Sequence, residues 1–91
     1  MSPVKLAIAG GGVIGRRHAG AIVNSEDAIL VAIADPALSG KQLGDDMDVP
    51  VFSNLQALLA EESVDGVIVS TPTEHHFEPT MVALDSGCHV L

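Results

Sequence analysis

Short apolar runs of strand length alternate with helix-like segments along this 91-residue chain, and the alternation restricts the folds open to it. The first run, Val4–Ala9, is apolar on both faces apart from Lys5, as expected of a strand that helices cover from both sides. Further strand-like runs occur at 29–34, 67–70 and 89–91. Strands that alternate with helices in this way predict βαβ units and a parallel sheet.

The segments between the first strands predict helices of unequal strength. Residues 13–24 predict a helix whose inward face carries Ile14, His18, Ala21 and Ile22. Leu38–Met47 is a poor helix candidate, because Gly40 and Gly44 each weaken a helix by about 1 kcal/mol relative to alanine. Val51 and Phe52 predict only a short strand at an edge of the sheet.

Two later helices are predicted from their end signals. Ser53 is a good N-cap, and Gln56 three residues later completes a capping box for a helix that ends near Glu62. Pro79 fits the first turn of a last helix, where its missing N–H costs nothing, and Gly87 supplies the C′ residue. The sequence then stops inside an apolar strand, and we therefore expect it to be a fragment of a longer domain.

The composition excludes several classes of protein. Twelve acidic against four basic residues give a formal net charge of -8, whereas a nucleic-acid binder needs clustered positive charge. The two aromatic residues, Phe52 and Phe77, provide no stacking platform for single strands. No apolar run approaches the roughly 18 residues of a membrane span, residues 1–5 lack a signal-peptide pattern, and the single cysteine, Cys88, excludes an internal disulfide. We expect one cytoplasmic domain.

The glycine-rich turn after the first strand predicts the chemistry. It has the pattern G-x-G-x-x-G, in which Gly10 permits a tight turn and Gly12 lets a pyrophosphate approach the backbone. Gly15 allows the following helix to pack closely on the sheet. The N–H groups of that helix start, which includes Val13 and Ile14, and the positive end of its dipole would bind the phosphates.

An acidic residue ends the second strand at the position this motif requires. Asp35 follows Gly15 by 20 residues, and its carboxylate can accept hydrogen bonds from both hydroxyls of an adenosine ribose. No arginine follows in residues 36–39, and Lys41 is the nearest cation, so NAD is expected over NADP. The alternative is a glycine-rich turn without a ligand and an aspartate that only begins a turn before Pro36. Together these features predict a Rossmann-like α/β fold: a doubly wound parallel sheet of order 3-2-1-4-5 in three αβα layers, truncated at its fifth strand.

A second polar cluster follows the fourth strand at residues 70–76. The carboxyl end of this strand lies beside the switch point where ligands sit, so the backbone and hydroxyl groups there would line the nicotinamide half of the cleft. The candidate residues are Ser70, Thr71, Pro72 and His76. The alternative is an ordinary strand-to-helix loop, and for Glu74 and His75 alone we favour that interpretation.

Other reactive side chains point to ordinary roles. The possible metal ligands, His75, His76, Glu78 and His89, match no zinc spacing, so we predict no metal site. Arg16 and Arg17 lie in the first turn of a helix, where charged side chains more often face water than phosphate. We predict that Cys88 is a small buried apolar residue rather than a nucleophile.

With these residues the chain resembles, over nearly its whole length, the N-terminal domain of the glucose–fructose oxidoreductase / inositol dehydrogenase / MocA family (Gfo/Idh/MocA). The resembling segments are residues 7–19, 32–35, 67–72 and 83–91, together with His76. In that family the fourth strand is followed by Thr-Pro-Asn-x-x-His. Here Thr71, Pro72 and His76 match, whereas Thr73 replaces the asparagine.

The resemblance implies NAD(P)-dependent oxidation or reduction at a hydroxyl-bearing carbon of a sugar, an inositol or a related small molecule. It also implies a second, substrate-binding domain and a Glu-Lys-Pro motif just beyond Leu91. Residues 1–91 would then be an incomplete NAD(P)-binding domain, with no catalytic residue and no turnover of its own. In that family association runs largely through the missing domain, so an oligomer is possible. The alternative is a standalone nucleotide-binding or redox-sensing module.

Overall fold

The computed structural model describes residues 3–70, 87 and 89–90, and these form a parallel sheet with helices on both faces. The elements are β1 (Val4–Ala9), α1 (Val13–Val23), β2 (Ala28–Ala34), α2 (Leu38–Met47), β3 (Val51–Phe52), α3 (Leu55–Glu61), β4 (Gly66–Val69) and β5 (His89–Val90). The strands are ordered β3-β2-β1-β4-β5 and every pair is parallel, which confirms the predicted doubly wound sheet. The helix predicted over 79–86 lies outside the described residues.

The central strand β1 supplies both faces of the core. Leu6 and Ile8 pack in one buried cluster with residues of α1 and α2, whereas Ala7 and Ala9 pack in another with α3. Successive side chains of a strand point to opposite faces, so an uninterrupted apolar run fits a strand that helices cover from both sides. None of the helices in the described part of the chain is long and apolar enough to span a membrane.

Strand β2 contains an irregularity that its apolar sequence does not reveal. Leu6 pairs with Leu30, but Ala7 pairs with Ala32, so Val31 is an extra residue on β2. As a result Leu30 and Ile33, three positions apart, contribute to the same core cluster. Because every residue of this strand is apolar, the shift of register leaves no polar side chain in the core.

Helix α2 is a regular helix of ten residues, so the expectation of a poor helix was wrong. The two glycines that argued against it are buried, and a Cβ on Gly44 would overlap the side chain of Val51. Leu43, between them, is completely buried. Close packing of a glycine face on the sheet therefore outweighs the low intrinsic helix propensity of glycine.

The predicted capping box at the start of α3 was also wrong. The N-cap is Asn54, whose side-chain oxygen accepts a hydrogen bond of 2.8 Å from the Ala57 amide. Strand β3 ends at Phe52, and Asn54 still has extended backbone angles (φ -151°, ψ 165°), so the helix begins one residue later than the sequence predicted. Ser53 lies outside the helix and is exposed.

The inward face of α1 differs from the predicted one as well. Its buried residues are Gly15, Ala19 and Ile22, whereas Ile14 is about half exposed at 49%. A Cβ on Gly15 would overlap the Gly10 carbonyl, so the helix start fits tightly against the preceding turn. With the helix start held at Gly15, the small residues Gly15 and Ala19 face the sheet together with Ile22, which was predicted to do so.

Alanine substitutions at two helical glycines should have opposite effects on stability. Gly44→Ala forces a methyl group into Val51 and should lower the free energy of unfolding by about 1–3 kcal/mol. Gly20→Ala, in the interior of α1, meets no atom within 4 Å and should raise it by about 0.5–1 kcal/mol. Urea titrations of the two variants measure both changes, and a Gly44→Ala variant as stable as the parent would contradict the packing of α2 on Val51.

Candidate dinucleotide-binding site

Three of the predicted site residues lie in one row along the carboxyl edge of the sheet. Gly10 is the first residue after β1, Asp35 is the first after β2, and Ser70 is the first after β4. Their amides continue the strand ladder: Asp35 donates to the Phe52 carbonyl at 2.8 Å, Gly10 to Ala34 at 2.9 Å and Ser70 to Ala9 at 2.9 Å. Residues from three separate parts of the sequence are thereby fixed side by side at the edge where open α/β sheets bind ligands.

The turn between β1 and α1 depends on glycine at two positions. Gly10 has a φ of 109°, a conformation that favours glycine because other residues clash there. Gly15 must lack a side chain because a Cβ would overlap the Gly10 carbonyl and lie 3.1 Å from the Ser70 hydroxyl. The turn is therefore held in a compact shape by backbone contacts.

Gly12 differs from these two, because its missing side chain opens onto free space. It is the exposed N-cap of α1, with an ordinary φ of -74°, and a Cβ there would meet no atom within 4 Å. The open space above Gly12 allows a ligand to approach the backbone at the start of the helix.

The start of α1 offers unpaired amides to that space. The first bond between residues four apart runs from the Arg16 amide to the Gly12 carbonyl at 2.8 Å. The amides of Val13, Ile14 and Gly15 precede it, and helix geometry provides no carbonyl within the helix for them. The first turn contains no acidic residue that would compete with an anion. An anionic group above Gly12 would be stabilised by these donors and by the helix dipole.

The Asp35 carboxylate is held by two backbone amides. Gly11 donates a hydrogen bond of 2.6 Å to Oδ2, and Ala37 donates one of 2.9 Å to Oδ1. An ionised carboxylate has about four acceptor sites, so sites remain for further donors. Because the side chain is half-buried and fixed from two sides, these free acceptor sites have a defined direction beside the glycine turn.

Ser70 contacts the turn rather than open space. Its hydroxyl donates to the Gly10 carbonyl at 2.9 Å and lies 3.2 Å from the carbonyl of Ala9. It therefore supports the shape of the turn from the side of β4. The other residues predicted beyond this strand, Thr71, Pro72 and His76, lie outside the described residues.

The sequence analysis missed two residues of this site, Gly11 and Gly40. Gly11 supplies the amide that binds Asp35, and a Cβ on Gly40 would overlap the Asp35 side chain. The motif pattern leaves the position of Gly11 unspecified, and Gly40 appeared only as a helix-weakening residue. The signal for Gly40 in the sequence was its position, five residues after Asp35.

Arg16 pairs with a neighbouring helix. Its guanidinium lies 2.7 Å from the Asp46 carboxylate, and both side chains are about half exposed. Such an exposed pair contributes little to stability, although it links the start of α1 to the end of α2. The described residues contain no group of three or more histidine, cysteine or acidic side chains that could hold a metal ion.

An open cleft of about 630 Å³ lies on the β3 side of Asp35. It is bounded by residues 35–38, by Lys41 and Asp45 on α2, and by residues 49–53. Of these lining residues, Lys41 carries a positive charge, and Asp35 and Asp45 carry negative charges. Asp35 thus separates this cleft from the glycine turn.

This arrangement of a glycine turn, a helix start and a fixed acid is that of a Rossmann dinucleotide-binding domain. Residues 4–91 match the model of the Gfo/Idh/MocA family, described as an oxidoreductase family with an NAD-binding Rossmann fold. The chain belongs to this family. The resemblance inferred from the sequence is therefore confirmed.

Relatives of known name match nearly the whole chain. D-glucoside 3-dehydrogenase of Escherichia coli (strain K12) is 36% identical over 93 residues, which cover 99% of this chain and 26% of the relative. The 2,7-anhydro-N-acetylneuraminate hydratase of Mediterraneibacter gnavus is 34% identical over 90 residues, which cover 99% of this chain and 24% of the relative. The chain thus spans about a quarter of the length of these relatives.

A solved structure agrees with the fold in detail. The scyllo-inositol dehydrogenase from Lactobacillus casei, crystallised with NAD(H) and scyllo-inositol, superposes with a TM-score of 0.88 at 25% sequence identity. The match covers 98% of this chain and 27% of that protein. The oxidoreductase family and its NAD-binding fold are thus supported by sequence and by structure.

Replacing Gly12 by valine should abolish dinucleotide binding and preserve the fold. The isopropyl group fills the open space at the start of α1 without meeting another protein atom within 4 Å at its Cβ. The matched control is Gly20→Val, which makes the same change at an open position near the other end of this helix. Calorimetric titration with NAD, after circular dichroism has shown both variants folded, compares them. Unchanged NAD affinity in Gly12→Val would show that phosphates bind elsewhere.

Proposed function

We propose that residues 1–91 are the dinucleotide-binding part of an NAD(P)-dependent oxidoreductase that acts on CH–OH groups of a sugar, an inositol or a related small molecule. Membership of the Gfo/Idh/MocA family supports the oxidoreductase assignment. The substrate class is supported by relatives named as a glucoside dehydrogenase and an inositol dehydrogenase. The observation that carries the proposal is the Asp35 carboxylate, fixed by the Gly11 amide at the edge of the open glycine turn.

The residues of the site fit the parts of a dinucleotide. The open space above Gly12 and the unpaired amides at the start of α1 suit the pyrophosphate, and Asp35 suits the adenosine ribose. Ser70 supports the turn, and Thr71, Pro72 and His76 are proposed to line the nicotinamide half. When bound, the nicotinamide supplies hydride transfer, while the protein binds and orients it.

The cofactor domain does not by itself determine the net reaction. One relative matching nearly the whole chain is named a dehydrogenase and another a hydratase, at 36% and 34% identity. Both matches cover about a quarter of the relatives' length. We therefore assign substrate choice and proton transfer to a second domain of the kind the family has, and binding and orientation of the dinucleotide to these residues.

The fixed carboxylate of Asp35 also favours NAD over NADP. A ribose 2′-hydroxyl can donate a hydrogen bond to it, whereas a 2′-phosphate adds negative charge and cannot donate in the same way. Lys41 is exposed in the wall of the neighbouring cleft, where solvent screens its charge. The formal net charge of -8 adds a weaker, screened bias against the more anionic dinucleotide.

The preference for NAD should be large and should depend on Asp35. Loss of a charge-assisted hydrogen bond together with charge repulsion costs roughly 2–4 kcal/mol, a preference on the order of 30- to 1000-fold. Asp35→Ala should reduce it, mainly by weakening NAD binding. Asp45→Ala removes the same charge from the same cleft and should leave the preference nearly unchanged. Titrations of both dinucleotides in one buffer test this, and equal binding by the parent protein would mean that Asp35 does not contact the ribose.

The 91-residue chain should bind NAD without oxidising polyols. General acid–base groups typically contribute 10²–10⁴-fold to such reactions, and we place them in the second domain. The test monitors NADH absorbance with scyllo-inositol, myo-inositol and a glucoside at saturating NAD. Dehydrogenase activity of the purified chain would overturn this division of roles.

A standalone nucleotide-binding or redox-sensing module would give the same two results, namely binding without turnover. The reading frame of the gene distinguishes it from the enzyme. A frame that continues past Leu91 with Glu-Lys-Pro and a second domain would support the enzyme, and a stop codon there would support the module.

A further inference from the structure

We propose that Gly40, in the first turn of α2, is a specificity-determining position that sets the preference for NAD over NADP. The Asp35 carboxylate packs against the backbones of Gly40 and Gly11, and this contact surface is called the carboxylate seat. The inference rests on the proposed function, since it concerns how the same site selects its dinucleotide. Gly40 itself would not touch the dinucleotide. It acts through Asp35 and is therefore a positioning residue.

The contact between Gly40 and Asp35 leaves no room for a side chain. A Cβ on Gly40 would overlap the Cβ of Asp35 and would lie 2.8 Å from its Cγ and 3.0 Å from its Oδ2. These atoms cannot yield as the tip of a long flexible side chain would, because Asp35 is short and hydrogen-bonded at both oxygens. A methyl group at Gly40 must therefore displace the carboxylate or move the helix.

Gly11 completes the seat from the side of the glycine turn. A Cβ on Gly11 would lie 2.5 Å from the Cα of Gly40 and 3.2 Å from Oδ2 of Asp35. The two glycines thus pack backbone against backbone, and the Asp35 side chain contacts both. This close approach allows the Gly11 amide to reach Oδ2 at 2.6 Å.

The start of α2 holds the other oxygen of the same carboxylate. The amide of Ala37, the N-cap residue of α2, donates to Oδ1 at 2.9 Å, and the Ala37 carbonyl accepts from the Gly40 amide at 3.1 Å. The amide of Asp35 is itself fixed on Phe52 of β3. The first turn of α2 therefore provides both a donor and a bare surface, and its position determines where the carboxylate points.

This packing links α2 to the choice of dinucleotide. A carboxylate in its seat presents its free acceptor sites in one direction and keeps negative charge at one place, which favours a 2′-hydroxyl and opposes a 2′-phosphate. A displaced carboxylate would bind a 2′-hydroxyl less well and would repel a 2′-phosphate less strongly. Gly40 is unfavourable for the helix but is accommodated because the contact requires it.

The decisive variant is Gly40→Ala. Its preference for NAD over NADP should fall by about tenfold, mainly through weaker NAD binding, as expected when a charge-assisted hydrogen bond is lost. Gly44→Ala is the matched control, because it makes the same change in the same helix but meets Val51 instead of Asp35. It should destabilise the protein and leave the ratio of the two dissociation constants unchanged. Both ratios are measured by calorimetry on the 91-residue protein.

Two further variants distinguish displacement of the Asp35 carboxylate from a general disturbance of packing. In the Asp35→Ala background, adding Gly40→Ala should change the ratio no further, because no carboxylate remains to be displaced. Gly11→Ala approaches the seat from the opposite side and should lower the ratio as Gly40→Ala does. If Gly40→Ala does not fold, Gly11→Ala decides the question, and if neither folds, the contact serves stability and the proposal fails.

The possible failures are distinguishable. A parent protein that binds neither dinucleotide overturns the proposed function and this inference with it, whereas one that binds both equally overturns the NAD preference and this inference and leaves dinucleotide binding standing. A parent that prefers NAD, combined with a folded Gly40→Ala that keeps the parental ratio, overturns the role of Gly40 alone. A reduced ratio in Gly44→Ala as well would attribute the effect to loosening of α2 and would also overturn it.

Discussion

A row of backbone hydrogen bonds across the carboxyl edge of the sheet is the interaction on which the site depends. It continues the strand ladder by one residue and fixes Asp35, Gly10 and Ser70 beside one another. Each amide in the row is bound to a carbonyl of the next strand, so the position of each residue follows from the parallel pairing of the core strands. The Gly11 amide then reaches across the row to the Asp35 carboxylate. The residues of the candidate site are therefore positioned by the most regular part of the structure.

Small residues allow the helices to approach this edge closely. Gly15 lies against the Gly10 carbonyl at the start of α1, and Gly40 lies against Asp35 at the start of α2. Each of these glycines lowers intrinsic helix stability, and each allows a backbone contact that a methyl group would prevent. Gly12 has the opposite role, since the space beside it is left open. A glycine in this chain thus either packs against protein atoms or borders open space, according to what surrounds it.

Electrostatics at the site are local rather than global. The chain carries a formal net charge of -8, yet the start of α1 presents unpaired amides and has no acid in its first turn. Solvent and salt screen the distant surface charges within about 10 Å at ordinary ionic strength, whereas the amides act at contact distance. An acidic protein can therefore provide an anion site, and the discrimination proposed for Asp35 is likewise an effect at contact distance.

The sequence by itself determined the strand order, the glycine turn and the acid after β2, because these depend on apolar periodicity and on backbone requirements that only certain residues meet. The tertiary structure alone decided the helical state of α2, the extra residue Val31, the cap at Asn54 and the contact of Ser70 with the turn. In each case, residues distant in sequence or the exact end of a strand set the outcome. Gly40 shows the reason: its propensity argues against a helix, and only its contact with Asp35 explains why a glycine fits there.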